Sequence, residues 1–145
     1  MQFQFIFTIF SAVIALSTLV AASPNASSEG SSTNHLAKRK TYTGTATWYK
    51  PATEGGPHAA CNGAYIDDYS RIVALNAEQY GNMNGKSKYC HKKIRIKGPK
   101  GSATATILDA CPGCSYGDLD LTPVLFKKIV GDMNKGIGKI HWNFV

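Results

Sequence analysis

The chain has 145 residues, 43% of them hydrophobic, and a formal net charge of +7. That length leaves room for one ordinary core and excludes a string of independent domains. The positive balance admits nucleic acid, anionic lipid or acidic polysaccharide as partners, or simply a solvated surface, because the basic residues are spread along the chain with one small cluster at 86–93.

Residues 1–22 form an uncharged apolar run that closes on Ala21, Ala22 and Ser23, with Val20 and Ala22 in the −3 and −1 positions. This reads as a secretory signal peptide; the alternative is a membrane anchor of nearly spanning length. Residues 23–39 are Ser/Asn-rich and cannot bury a core. They carry the glycosylation sequon Asn25-Ala26-Ser27 and end in the dibasic pair Lys38-Arg39. The segment is expected to be a disordered pro-segment, or else a retained linker. The remaining domain, 40–145, holds fourteen Lys and Arg against eight Asp and Glu.

Short stretches rich in Thr, Val, Ile and aromatics follow in order. T-G-T-A-T-W-Y (43–49) alternates, R-I-V-A-L-N (71–76) is an apolar run, and K-I-R-I-K (93–97) alternates again. A G-P-K-G turn leads into S-A-T-A-T-I-L-D (102–109). Thr122 and Pro123 have the character of an N-cap and first helical residue, and 124–130 places Leu125, Phe126, Ile129 and Val130 on one face. Gly131 ends that helix. G-K-I-H-W-N-F-V (138–145) closes the chain as a strand with Ile140, Trp142 and Phe144 on one side. About six strands and one short helix predict a small closed β-barrel.

All four cysteines, Cys61, Cys90, Cys111 and Cys114, fall in this domain. An even count in an oxidising compartment argues for two disulfides. Three pairings are open; Cys61–Cys90 with Cys111–Cys114 is favoured, Pro112-Gly113 supplying the turn for the second. A thioredoxin-type redox centre would need the C-x-x-C pair at a helix N-terminus, and here it follows a strand. A four-cysteine zinc site would need two close pairs, and the four histidines show no ligand spacing. No metal and no cofactor is expected.

Four pieces carry a family resemblance: "GTATWY" (44–49), "AC-N-G" (60–63), "KGPKGSATATILDACPGC" (97–114) and "YGDLDLTPVLFKKI…GIGKIHWNFV" (116–145). Residues 44–145 resemble the first domain of expansins, shared with barwin, the rare lipoprotein A family and family 45 endoglucanases, and most of all its compact secreted fungal members. The resemblance implies a mainly β fold, a six-stranded double-psi β-barrel with one or two short helices. It implies a groove using Thr47, Asp109 and Asp120. The family's tyrosine two residues after the first aspartate is Cys111 here, with Tyr116 or Tyr49 as candidate replacements. Trp48 and Tyr49 are candidates for stacking on sugar rings, although alternation turns only one of them outward. Asp118 is expected to be the solvated member of the acid cluster.

Glycoside hydrolysis generally needs two carboxylates about 5–10 Å apart. In family 45 enzymes the base lies on the first strand and the acid at the place of Asp120. The first strand here has no acid, the nearest being Glu54 in the following loop. Little or no endoglucanase activity is therefore expected. The favoured reading is a secreted, monomeric, expansin-like protein that binds and loosens cell-wall polysaccharide (cellulose, chitin, pectin or peptidoglycan) without hydrolysis. Neither nucleic acid nor, after signal removal, membrane is an expected partner. Expansins usually add a second binding domain, and the chain ends at Val145 with the barrel's last strand, so that domain is expected to be missing. The alternatives are a lytic transglycosylase or weak glycosidase using Asp120 as general acid, and a cysteine-protease inhibitor or defence protein acting through its loops.

Overall fold

A computed structural model describes residues 39–145. The expected signal peptide, the Asn25 sequon and Lys38 lie outside the described residues. Six strands close into one barrel in the order β1-β5-β2-β4-β3-β6. They are β1 (Tyr42–Trp48), β2 (Ile72–Asn76), β3 (Lys93–Lys97), β4 (Ser102–Cys111), β5 (Leu119–Leu121) and β6 (Gly138–Phe144). The pairs β1–β5 and β2–β4 are parallel and the other four antiparallel. Two short helices, α1 (Ala77–Tyr80) and α2 (Pro123–Ile129), and one 3-10 turn (Met133–Lys135) complete the fold. This is the six-stranded barrel with one or two short helices implied by the sequence resemblance.

Alternation in the sequence becomes inside and outside in the barrel. On β3, Ile94 and Ile96 are buried while Lys93, Arg95 and Lys97 are exposed. Ala103, Ala105 and Ile107 of β4, Leu119 and Leu121 of β5, and Ile140 and Trp142 of β6 enter the same core. The α2 helix covers one end of it with Leu125, Phe126 and Ile129. Thr122 is the N-cap by position, but its hydroxyl does not cap: Oγ1 donates to the Ser70 carbonyl at 2.6 Å. It ties the helix start to the loop before β2.

Two chain segments cross at the start of β1. A Cβ on Gly44 would meet the carbonyl of Gly117, so no side chain fits there. Gly117 has φ +89°, and its carbonyl accepts from Trp142 Nε1 at 2.8 Å. Asp118, expected to be solvated, accepts from the Thr45 N–H through Oδ1 at 2.6 Å. It fixes this crossing.

A second, smaller apolar cluster lies outside the barrel. It joins Tyr49, Ala59 and Ile66 to Ile72 and Ala74 of β2. The long segment 50–70 thus folds back over the outer face of β2. One disulfide joins Cys61 of that segment to Cys90, and a second joins Cys111 to Cys114.

Candidate functional site: an acidic row across four strands

The two leucines of β5 are fully buried, so Asp120 between them must face outward. On β1, Ala46 is buried and Thr47 turns out beside it. Parallel pairing sets Thr47 opposite Asp120, and its hydroxyl donates to Asp120 Oδ1 at 2.6 Å. Ala74 on β2 sits in register with Asp120 on one side and Asp109 on the other. Four strands therefore present Thr47, Asp120, Ala74 and Asp109 in one row.

Asp109 reaches that row only through an irregularity. With Ala103, Ala105 and Ile107 inward, plain alternation would bury Asp109 as well. The register of β4 against β2 instead slips between Ile107 and Asp109, leaving Leu108 unpaired with any β2 residue. This bulge reverses the phase, and Asp109 emerges on the outer face. The Leu108 carbonyl is not wasted: it accepts from Cys61 N–H at 2.8 Å.

Asp109 is held by three donors. Oδ1 accepts from Ala60 N–H at 3.0 Å and Ala110 N–H at 2.9 Å, and Oδ2 accepts from the Tyr49 hydroxyl at 2.8 Å. Tyr49 is only 7% accessible. Burial first, then the charge and hydrogen bond of Asp109, push its phenol well above the ordinary tyrosine range. Tyr49 therefore stays a neutral donor at any ordinary pH. Asp120 is pushed upward mainly by burial. The charges of Glu54 and Asp109 add to this, against the lowering effect of the Thr47 hydroxyl and the Leu121 N–H. Glu54 Oε2 is engaged by Lys50 N–H at 2.8 Å.

The remaining aromatic candidates fall elsewhere. Trp48 turns inward, packing on Phe126 with centroids 6.4 Å apart, and its Nε1 donates to Met133 O at 3.2 Å. Tyr116 lies at the opposite end of β1, against Tyr42, with its hydroxyl accepting from Lys40 Nζ at 3.3 Å. The structure thus brings together Thr47, Tyr49, Asp109 and Asp120 and leaves Trp48 and Tyr116 apart from them.

Sequence reasoning passed over Tyr65 and Tyr69, whose rings are 72% and 82% accessible. Both stand on the segment 50–70. Tyr69 borders a hollow of about 170 Å³ with Asp68, Pro123, Val124 and Lys127, just past Asp120 in the chain. The D-D-Y-S run at 67–70 was the available signal, since a tyrosine in a polar turn has little core to enter. Among the described residues, no group of three His, Cys, Asp or Glu is placed to hold a metal ion.

No family model matches the chain. It is 33% identical over 125 residues to an Asp f 7 allergen homolog of Arthroderma benhamiae, covering 72% of this chain and 43% of that protein. A ripening-related protein of Oryza sativa is 28% identical over 114 residues, 70% of this chain and 68% of that one. The expansin of Clavibacter michiganensis matches at TM-score 0.61 and 30% identity, over 73% of this chain and 50% of that chain. A mutant of that expansin solved in complex with cellohexaose matches at the same TM-score with 29% identity. The Streptomyces papain inhibitor shares the fold, with TM-score 0.61 at 24% identity. This chain therefore spans about half the length of the expansin it matches and less than half of the Arthroderma relative. The chain is thus similar in sequence to these proteins, and its fold is the expansin-like double-psi β-barrel.

Proposed function

We propose that the row Thr47–Asp120–Ala74–Asp109 is the floor of a groove that binds cell-wall polysaccharide and loosens contacts between its chains without cutting them. The observation that carries this reading is the row itself. Two carboxylates and a hydroxyl stand partly exposed in register on the outer face, with Ala74 between the aspartates buried beneath the 50–70 segment. Carboxylates accept from sugar hydroxyls, and exposed rings stack on pyranose faces. Tyr65 and Tyr69 on the 50–70 segment are the exposed rings available for stacking, a part that Trp48 and Tyr49 cannot take while packed as they are. The Clavibacter expansin captured with cellohexaose supports a glucan-type ligand for this groove.

Hydrolysis finds weaker support. Three of the roughly four acceptor positions of Asp109 are already filled, leaving one for a sugar hydroxyl, Glu54 is held by Lys50 N–H, and the first strand, where family 45 enzymes carry their base, has no acid. One observation does favour a second reading. Asp120 is biased toward its protonated form, as a general acid requires. With the sugar's own hydroxyl as nucleophile, Asp120 would give its proton to the leaving glycosidic oxygen as that bond breaks, and the carboxylate so formed would take the hydroxyl's proton as the new bond to the anomeric carbon closes, so that no second carboxylate is needed.

A panel of cellulose, chitin, pectin and peptidoglycan, scored for both binding and soluble product, separates the two. Binding by the wild type with no new ends released, and weaker binding by Asp120→Asn, is the expected result. Ends or anhydro-sugars that appear with the wild type and vanish in Asp120→Asn would replace it with the enzyme reading. The same panel run on Glu54→Gln reports whether that carboxylate serves as a base. By the same reading the protein is proposed to be secreted and to act at the wall.

A further inference from the structure

Residues 71, 95, 102, 104 and 128 are far apart in sequence, yet the barrel gathers them around one hollow of about 270 Å³. Arg95 comes from the outer side of β3 and pairs opposite Thr104 of β4. Ser102 lies two residues earlier on the same exposed side. Arg71 precedes β2, and its carbonyl is fixed by Thr106 N–H at 3.1 Å. Lys128 comes from the last turn of α2. Three cations and two hydroxyls thus share one opening, no carboxylate lines it, and all three cations are exposed.

Like charges drawn together in this way favour an anion between them. A guanidinium fork matches the two oxygens of a carboxylate, and two hydroxyls suit a ligand that is itself rich in hydroxyls. No aromatic ring lines the hollow, so it offers nothing for a nucleic-acid base to stack on. Thr104 is five residues from Asp109 along β4, about 16 Å at the usual rise of a strand, so the hollow is separate from the acidic row.

We infer that the hollow lined by Arg71, Arg95 and Lys128 binds the carboxylate of a uronic-acid residue in an acidic polysaccharide. It rests on the proposed function for the class of ligand alone, a wall polysaccharide, and uses none of the residues of the groove.

The test is titration of the full chain with oligogalacturonate, its fully methyl-esterified counterpart, cellohexaose, inorganic sulfate and a single-stranded oligonucleotide. The wild type is expected to bind the free acid at least about ten-fold more tightly than the ester. The double variant Arg71→Gln, Arg95→Gln should lose at least about ten-fold for the acid and leave cellohexaose binding unchanged. Asp120→Asn should do the reverse. The cations are exposed, so melting temperature should hold; Lys128→Gln, with a smaller loss in the same direction, covers a double variant that folds poorly. Equal binding of acid and ester, or full retention of acid binding in both variants, overturns the inference. So does sulfate or oligonucleotide binding as tightly as oligogalacturonate. If cellohexaose fails to bind any form while oligogalacturonate binds the wild type, the groove reading falls and this site stands.

Discussion

The two sides of the barrel carry opposite chemistry on the same scaffold. On β1, β5, β2 and the far end of β4, the outward positions hold Thr47, Asp120, Ala74 and Asp109. On β3 and the first half of β4, they hold Lys93, Arg95, Lys97, Ser102 and Thr104. Their construction differs as well. The acidic side is roofed by a long segment, pinned by a disulfide and a buried tyrosine, and every polar contact in it is specific. The basic side is bare strand, with flexible side chains around an open hollow. The difference teaches where precision is placed. Recognition of neutral hydroxyls demands fixed acceptors, whereas attraction between opposite charges tolerates loose ones.

The largest expected effect tests the tie across that contrast. The bond from Cys61 to Cys90 closes a separation of 29 residues. Replacing both cysteines with alanine should cost about 3–4 kcal/mol in denaturant unfolding. The variant, where still folded, should lose groove binding and keep binding of the free uronate at the basic hollow. An unchanged unfolding midpoint would mean that the roof is held by its apolar contacts and not by the bond.

Tyr49→Phe is smaller and confined to the acidic side. It keeps the ring in the outer cluster and removes the donor to Asp109 Oδ2, for an expected loss of about 1–2 kcal/mol. Its readout is the same unfolding experiment, together with weaker glucan binding. The basic hollow should not respond.

Asp120→Asn is the smallest in stability and the most diagnostic in sign. Burial raises the carboxyl of Asp120. The folded state therefore holds that proton more tightly than the unfolded chain does. The stability this gives is present below the ordinary carboxylate range and is lost as pH rises through the raised value. At neutral pH the charged side chain is a burden on the fold that an amide lacks, and an asparagine still accepts from Thr47. Asp120→Asn should thus melt slightly above the wild type at neutral pH, the gap closing in acid. A gap that widened in acid would contradict the burial argument. Arginine stays charged throughout this range, so Arg71→Gln should show no such closing.

The strands that alternate cleanly are legible in the sequence itself. K-I-R-I-K and the last strand announce their buried residues by period alone, and α2 shows its apolar face. What stays hidden depends on distant partners. The three-residue β5 is too short to signal itself and exists because β1 and β2 pair with it on either side. Tyr49 leaves the barrel as alternation allows, yet a roof some ten residues downstream buries it. The basic residues that look scattered along the chain meet at one hollow because strand pairing ignores sequence distance. Asp109 and Asp120 are reached through motif likeness, and nothing in the local pattern of β4 reveals the phase change that exposes Asp109.

That phase change has a consequence for how such a barrel can vary. Leu108 contributes its presence more than its chemistry, since one extra residue in the strand decides whether the next acid meets water or the hydrophobic interior. Swapping Leu108 for another apolar residue would leave the groove's charge where it is. Losing the position altogether would carry a carboxylate inward, and groove and core would fail together.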